Sequence, residues 1–395
     1  MHLTARSAFE ALFSLGTLSS LGFYLVAACG IGSFLRAKRQ RNVARSGTAH
    51  LSPVSLLKPL RGIDPYMWEC LSSHCEQDYP DFELIFGVSD AADPAIELVR
   101  RLQQHYPNRR IELVICDRAL GTNTKVSNLA QMLPQARHEV LLVDDSDIRV
   151  PPDYLRRVVT PLSDDSIGLV TCLYRGIASR TLGSKLECLT ISTDFVPGVL
   201  SARFLEHGLH FGLGSTLALR RTDLTAIGGF EVMVDYLADD YELGRRLADL
   251  GKRVELSDVV VETFLPSYSL LEFLTHQLRW SRTIRGARRW GYAGLFLTFG
   301  FMWSVGLLLV TRGELWDWAL ASITVGARVT IAMATGSAIL GDGQVWRNFY
   351  LLPLRDLIAP VVWALSFAGN RISWRGDVFR VKDGRLARLK HPVPD

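Results

Sequence analysis

From Phe9 to Leu35 the chain is nearly uncharged after Glu10, and a run of that length and apolarity fits a bilayer far better than a soluble core. Arg36, Lys38, Arg39, Arg41 and Arg45 follow with no acid among them. The basic cluster lies after the apolar run and not before it, which argues for a retained anchor over a cleaved signal. The positive-inside rule then predicts an N-terminus outside and everything from Arg36 onward in the cytoplasm. Tyr292 to Val310 and Leu315 to Leu340 are also long enough to span, the second despite Arg328, whereas Phe349 to Ala368 is interrupted by Pro353, Arg355, Asp356 and Pro360. These ends account for a mean hydropathy of +0.15 in a chain of 395 residues. A topological conflict follows. Arg371, Arg375, Arg380, Lys382, Arg385, Arg388 and Lys390, against Asp377 and Asp383, favour a cytoplasmic tail and an even number of crossings after the soluble region. Three candidate segments give an odd number. Either the Pro-interrupted one is re-entrant or interfacial, or the charge rule fails for this tail.

Between these ends, Pro53 to Trp290 leaves roughly 240 residues, ample for one α/β domain. Short apolar runs at Pro53–Leu57, Phe82–Val88, Ile111–Cys116, Glu139–Val143 and Ile167–Leu173 read as strands, and Asp93-Pro94 opens a helix between two of them. Strand, helix, strand at this spacing implies right-handed crossovers and a mainly parallel sheet. Cys29, Cys70, Cys75, Cys116, Cys172 and Cys188 form no C-x-x-C pair, so reduced and mostly buried thiols are expected. The net charge of +4 is concentrated in membrane-flanking clusters, which suits an anionic lipid surface better than nucleic acid.

The run EVLLVDDSDIRVPP ends in Asp144, Asp145 and Asp147, and parallel strands end on one edge, where ligands of open α/β sheets collect. Asp145 and Asp147 form an Asp-x-Asp pair whose mutual repulsion a divalent cation holding a diphosphate would relieve; an acidic turn is the alternative. Asp90 and Lys125 fall at other strand ends and can line the same cleft, as ligands or as a helix cap and a solvated loop lysine. Gly212 to Arg221 is a loop allowing close backbone approach, or a hairpin. Asp239 and Asp240 open a helix that stops at Gly251, either as dipole partners of its amides or with one of them as a general base. In Leu270 to Trp290, Leu270, Leu271, Leu274 and Leu278 fall at helical spacing beside Arg279, Arg282, Arg285 and Arg289, the pattern of an amphipathic helix on a membrane surface.

The order Asp90, Asp145-Ser146-Asp147, Asp239-Asp240-Tyr241, then His276-Gln277-Leu278-Arg279-Trp280 resembles the D, D, D, (Q/R)xxRW signature of membrane GT-A glycosyltransferases. VSLLKPLRGIDP, DYP at Asp78–Pro80, ADPAI at Ala92–Ile96, SDIRV and WRGDVFRV are similar to the ceramide glucosyltransferase family, and KVSNL, VTCLYRG and LPLRDL to its bacterial branch acting on hopanoids. His276 departs from the family's Gln or Arg. The resemblance implies an α/β fold of GT-A type: a Rossmann-like, mainly parallel, cytoplasmic domain at 51–268 flanked by transmembrane helices. An anchor at 8–35, an interfacial helix at 269–290, a membrane region at 291–370 and a basic tail at 371–395 complete the expected plan. It further implies a bacterial inner-membrane enzyme that moves glucose or N-acetylglucosamine from a UDP-sugar to a hydroxyl of ceramide or a hopanoid, with inversion. In that scheme Asp145 and Asp147 hold Mg²⁺ or Mn²⁺, Asp90 and Asp239 bind donor, Lys125 or Arg279 adds positive charge, Asp240 is the base, and His276 and Trp280 line the acceptor side. A processive polysaccharide synthase and a non-catalytic nucleotide-sugar or lipid-binding protein are the competing readings. The sequence leaves the oligomeric state open.

Overall fold

The computed structural model describes residues 5–44, 51–374 and 377–388; Arg45, Arg375 and Lys390 lie outside them. The chain divides into two compact units, a sheet unit (44–177, 208–266 and 371–395) and a helical unit (1–43, 178–207 and 267–370).

In the sheet unit, β1 (Val54–Leu60), β2 (Phe82–Val88), β3 (Arg110–Ile115), β4 (Val140–Val143), β5 (Ile148–Arg149), β6 (Ile167–Ile177), β7 (Leu217–Arg220) and β8 (Arg253–Phe264) form one sheet among the described residues, in the order β3-β2-β1-β4-β7-β6-β8-β5. β3, β2, β1 and β4 are parallel, as are β6 and β8. Every residue of β2 and of β4 is buried, because helices cover a parallel sheet on both faces and such strands need apolar side chains all along. The sheet is parallel-rich but mixed: β7 runs antiparallel to β4 and β6, and β5 antiparallel to β8. β7 follows the excursion of residues 178–207 into the helical unit and re-enters the sheet in the opposite direction. β1 continues three residues past the expected Leu57, keeping register with β2 through Leu60↔Val88. Pro59, which has no N–H to give, falls where pairing with β4 has already ended at Leu57↔Val143.

Residues expected as a basic tail include three antiparallel strands, Arg371–Trp374, Asp377–Lys382 and Arg385–Arg388. Alternation puts Ile372, Phe379, Val381 and Leu386 on one buried side, where they meet Leu237.

In the helical unit, the first helix (Ala5–Ala44) provides a ruler. Arg6 Nη2 donates to the Thr311 carbonyl (3.2 Å), Phe13 meets Trp303 edge-on (5.7 Å), Gly300 lies against Ser20 and Tyr24, and Arg203 Nη1 donates to Ser33 Oγ (3.4 Å). Helix Gly300–Thr311 is therefore antiparallel to the first helix. The stretch expected to span from Tyr292 is not straight: Arg289–Thr298 and Gly300–Thr311 meet at 47°. After the turn at Arg312-Gly313, the apolar helix Leu315–Ile339 returns, with Thr335 Oγ1 donating to the Ser192 carbonyl (2.8 Å) and Ser192 Oγ donating to Asp342 beyond its end (2.8 Å). Gly343–Phe367 begins there and ends with Trp363 Nε1 donating to the Tyr292 carbonyl (3.0 Å) and Arg285 to the Gly369 carbonyl (3.0 Å). Trp363 also stacks on Phe296 (4.9 Å), which meets Trp303 edge-on (4.7 Å). Arg328, Arg355 and Asp356, the charges that interrupt the apolar segments, neutralise one another with Asp194: Arg328 donates to Asp356 (2.7 Å) and Asp194 (3.0 Å), and Arg355 reaches Asp194 (2.6 Å). Among the described residues three helices are long and apolar enough to cross a membrane, and a membrane protein follows.

Candidate active site

The site is built at the carboxyl end of β4. Its first acid, Asp144, does not face a pocket. It is fully buried, accepting from Lys58 Nζ at 2.5 Å and meeting His74 Nε2 at 2.6 Å, while Lys58 also donates to the Asp145 carbonyl at 3.1 Å. Burial alone would raise its pKa, but His74 and Lys58 outweigh this and hold its carboxyl below the ordinary value. The Lys58–Asp144–His74 cluster thereby fixes the turn that carries the next two acids. Sequence inspection missed it because Lys58 falls in a stretch that reads as a turn, whereas only its position inside β1 exposes a lysine that must find a buried counter-charge.

Asp145, the most exposed of the group, accepts from Lys125 Nζ at 2.8 Å, and the same ammonium lies 3.2 Å from Asp239. Burial disfavours the Lys125 charge, but Asp145, Asp239 and Asp240 together raise its pKa above the ordinary lysine value. Asn123 caps the helix that begins at Thr124, accepting from Val126 N (3.3 Å) and donating to the Tyr236 carbonyl (2.7 Å). It thus fastens the Lys125 helix to the Asp239 loop, a role that the Asn-before-helix signal permits but does not reveal.

Asp147 accepts from Thr263 Oγ1 of β8 at 2.6 Å. Burial and then the neighbouring Asp145 push its pKa up to about 6. Asp240 accepts from Gly214 N (2.7 Å) and from Tyr241 N (2.8 Å). Burial, then Asp239, raise it to about 6. A Cβ on Gly214 would stand 3.2 Å from Asp240 Oδ2 and 3.3 Å from Asp145 Oδ2, so the two carboxylates converge on this loop and a side chain there would crowd both.

The structure thus brings Lys125, Asp145, Asp147, Asp239 and Asp240 together. Asp90 stands at the end of β2, on the same sheet edge, where its Oδ1 accepts from Ala92 N (2.8 Å) in a turn of its own. His276, Arg279 and Trp280 belong to the helical unit, on helix Leu270–Ala287. There His276 stacks on Tyr268 (5.4 Å) and leans on Trp280 (5.5 Å), which meets Phe195 edge-on (5.7 Å).

The family model of glycosyl transferase family 21 matches residues 21–387, a span that includes this acid pair, the lysine and the converging third carboxylate. The chain belongs to glycosyltransferase family 21. Ceramide glucosyltransferase 1 of Caenorhabditis elegans is 24% identical over 361 residues, covering 87% of this chain and 76% of the relative. Ceramide glucosyltransferase 3 of the same organism is 25% identical over 85% of this chain and 74% of its own length. Among solved structures, a mannosyltransferase from Pyrobaculum calidifontis, in complex with GDP-Man and Mn²⁺, superposes with a TM-score of 0.51 at 20% identity, over 89% of this chain and 98% of that one. This likeness shows a GT-A-type fold, and membership of family 21 makes the chain a glycosyltransferase acting on a lipid.

Proposed function

We propose that this family 21 enzyme transfers glucose or N-acetylglucosamine from a UDP-sugar to a hydroxyl of ceramide or a hopanoid, with inversion, from the cytoplasmic face of a bacterial inner membrane. The observation that carries the chemistry is Asp240, a carboxylate aimed by the Gly214 and Tyr241 amides beside Asp145 and made more basic than an ordinary aspartate. The acceptor oxygen attacks the anomeric carbon, its proton passes to Asp240, and the bond to the diphosphate breaks with its electron pair leaving on phosphate. A raised pKa suits this task, because a base with a pKa nearer the working pH takes a proton more readily while remaining ionised.

Asp145 and Asp147 are the residues suited to a divalent cation. Their repulsion is what a cation would relieve, and among the described residues no three His, Cys, Asp or Glu side chains close on one point. Asp145 and Asp147 would hold Mg²⁺ or Mn²⁺, hard ions that suit carboxylate oxygens. A cation bound there supplies positive charge to the departing diphosphate. Lys125, beside Asp145, or Arg279 adds to it, Asp90 and Asp239 bind donor, and His276 and Trp280 meet the lipid acceptor within the helical unit.

Incubating membranes carrying the chain with a panel of UDP-sugars and with lipid extracts, then identifying the glycolipid and its anomeric configuration, tests donor, acceptor and stereochemistry together. A retained α-linkage would exclude the single displacement. Asp147→Ala should remove most turnover and leave folding intact, and full activity of the wild type in EDTA would exclude the metal role.

A further inference from the structure

The segment 178–207 carries none of the recognised motifs, yet it places a fully buried carboxylate against one of them. Helix Leu182–Thr190 and helix Leu270–Ala287 are locked together at their starts. A Cβ on Gly183 would lie 2.5 Å from the Ser269 carbonyl oxygen, so the two backbones touch there, and a capping box between Ser269 and Glu272 fixes where the second helix begins. One turn beyond Gly183 stands Glu187. Its Oε2 accepts from Gln277 Nε2 at 2.9 Å, and its Oε1 lies 3.2 Å from His276 Nδ1. That second contact is off the line of an ideal hydrogen bond, but neither atom has another hydrogen-bond partner among the described residues. Two buried polar atoms in this position are satisfied by each other or not at all.

We infer that Glu187 is a positioning residue for His276: it keeps the Nδ1 proton directed at itself and fixes the ring plane, leaving Nε2 to meet the polar head of the lipid acceptor. A carboxylate behind an imidazole selects which nitrogen carries the proton and which is presented to a ligand. Tyr268 and Trp280 against the ring restrict its remaining freedom. The His at this position and the buried Glu behind it thus act as one unit. The inference rests on the lipid-acceptor reading proposed above.

The full chain, labelled with ¹⁵N-histidine in phosphatidylglycerol–phosphatidylcholine nanodiscs, tests the positioning without turnover. His276, assigned by its loss in His276→Gln, is expected to be protonated at Nδ1, and a ring protonated only at Nε2 overturns the inference. This spectrum decides the matter even if Glu187→Gln fails to fold. The kinetic arm uses short-chain ceramide and UDP-glucose. Glu187→Gln is expected to raise KM for the ceramide about tenfold, the worth of one hydrogen bond, with KM for UDP-glucose unchanged. In the His276→Gln background the same change should cost nothing further, whereas an equal loss in both backgrounds, the mark of a merely structural glutamate, overturns it. A wild-type chain that glycosylates no lipid defeats the functional reading instead, and the histidine spectrum still answers for Glu187.

Discussion

Asp240 occupies a place that works against its own charge. Its pKa rises from 3.8 to about 6, so the folded protein holds that proton more tightly than the unfolded chain does, and ionisation opposes folding as pH rises through this interval. Asp240→Asn should therefore melt higher than the wild type at pH 7 to 8, with the difference vanishing below about pH 4, while kcat falls by roughly 10²-fold or more and UDP-sugar affinity is nearly unchanged. Differential scanning fluorimetry and initial rates on the same preparations check both halves; a variant that loses donor binding but keeps turnover at saturation would make Asp240 a ligand and Asp239 the next candidate base. By the same reasoning, wild-type turnover should decline as pH falls through about 6, well before an ordinary aspartate would be protonated. Lys58 shows the opposite economy: its charge is sealed against Asp144. Lys58→Met leaves that buried carboxylate to His74 alone and should destabilise the chain by about 3 kcal/mol, read as an earlier thermal transition.

At the scale of elements, the strands that run through the centre of the sheet were the most legible. β2 falls at Phe82–Val88 as its apolar run predicts despite Glu83, and the helix opened by Asp239 ends, as expected, just before Gly251. What the sequence hides is direction and partnership. β7 has the same alternation whether it pairs parallel or antiparallel, and only the detour of residues 178–207 decides. Asp144 looks like its neighbours Asp145 and Asp147, yet it is buried against Lys58 and His74, partners distant in sequence, so one of these three acids is structural. Glu187 carries no local signal, and Asn123 only that of a helix cap, because the partner each fastens lies tens of positions away or more.

At the scale of the whole molecule, the open question is how many times the helical unit crosses a bilayer. Gly300–Thr311 goes towards the Arg6 end, Leu315–Ile339 comes back, and Gly343–Phe367, carrying Pro353 and Pro360, runs from beside Asp342 to the Tyr292 carbonyl. We infer two crossings after the sheet unit, with the Pro-interrupted segment lying along or dipping into one leaflet, which reconciles the basic residues after Asn370 with the positive-inside rule. Exposed Trp316 and Trp318 near one end and Trp346, Phe349 and Tyr350 near the other suit the two interfaces. A single cysteine at Gly313, in a chain whose native cysteines are replaced, should react with an impermeant maleimide in intact cells, and one at Gly341 should not. Labelling at Gly341 alone would invert the orientation.

The three strands after Asn370 also set a clock. Leu237 N donates to the Gly384 carbonyl (3.0 Å), Leu386 N to the Asp235 carbonyl (2.7 Å) and Thr122 Oγ1 to the Leu386 carbonyl (3.1 Å), so the loop leading into Asp239 and Asp240 is propped by residues the ribosome makes only after every membrane segment. A nascent chain still being inserted holds its acids but not the prop that aims them. We predict that synthesis stopped after Asn370 yields a membrane-integrated protein without turnover, and that adding residues 371–388 in trans as a peptide restores part of it; full activity of the shortened chain would show that the loop sets itself. On this reading a chain whose membrane segments are still entering the bilayer does not yet hold Asp239 and Asp240 in their folded places.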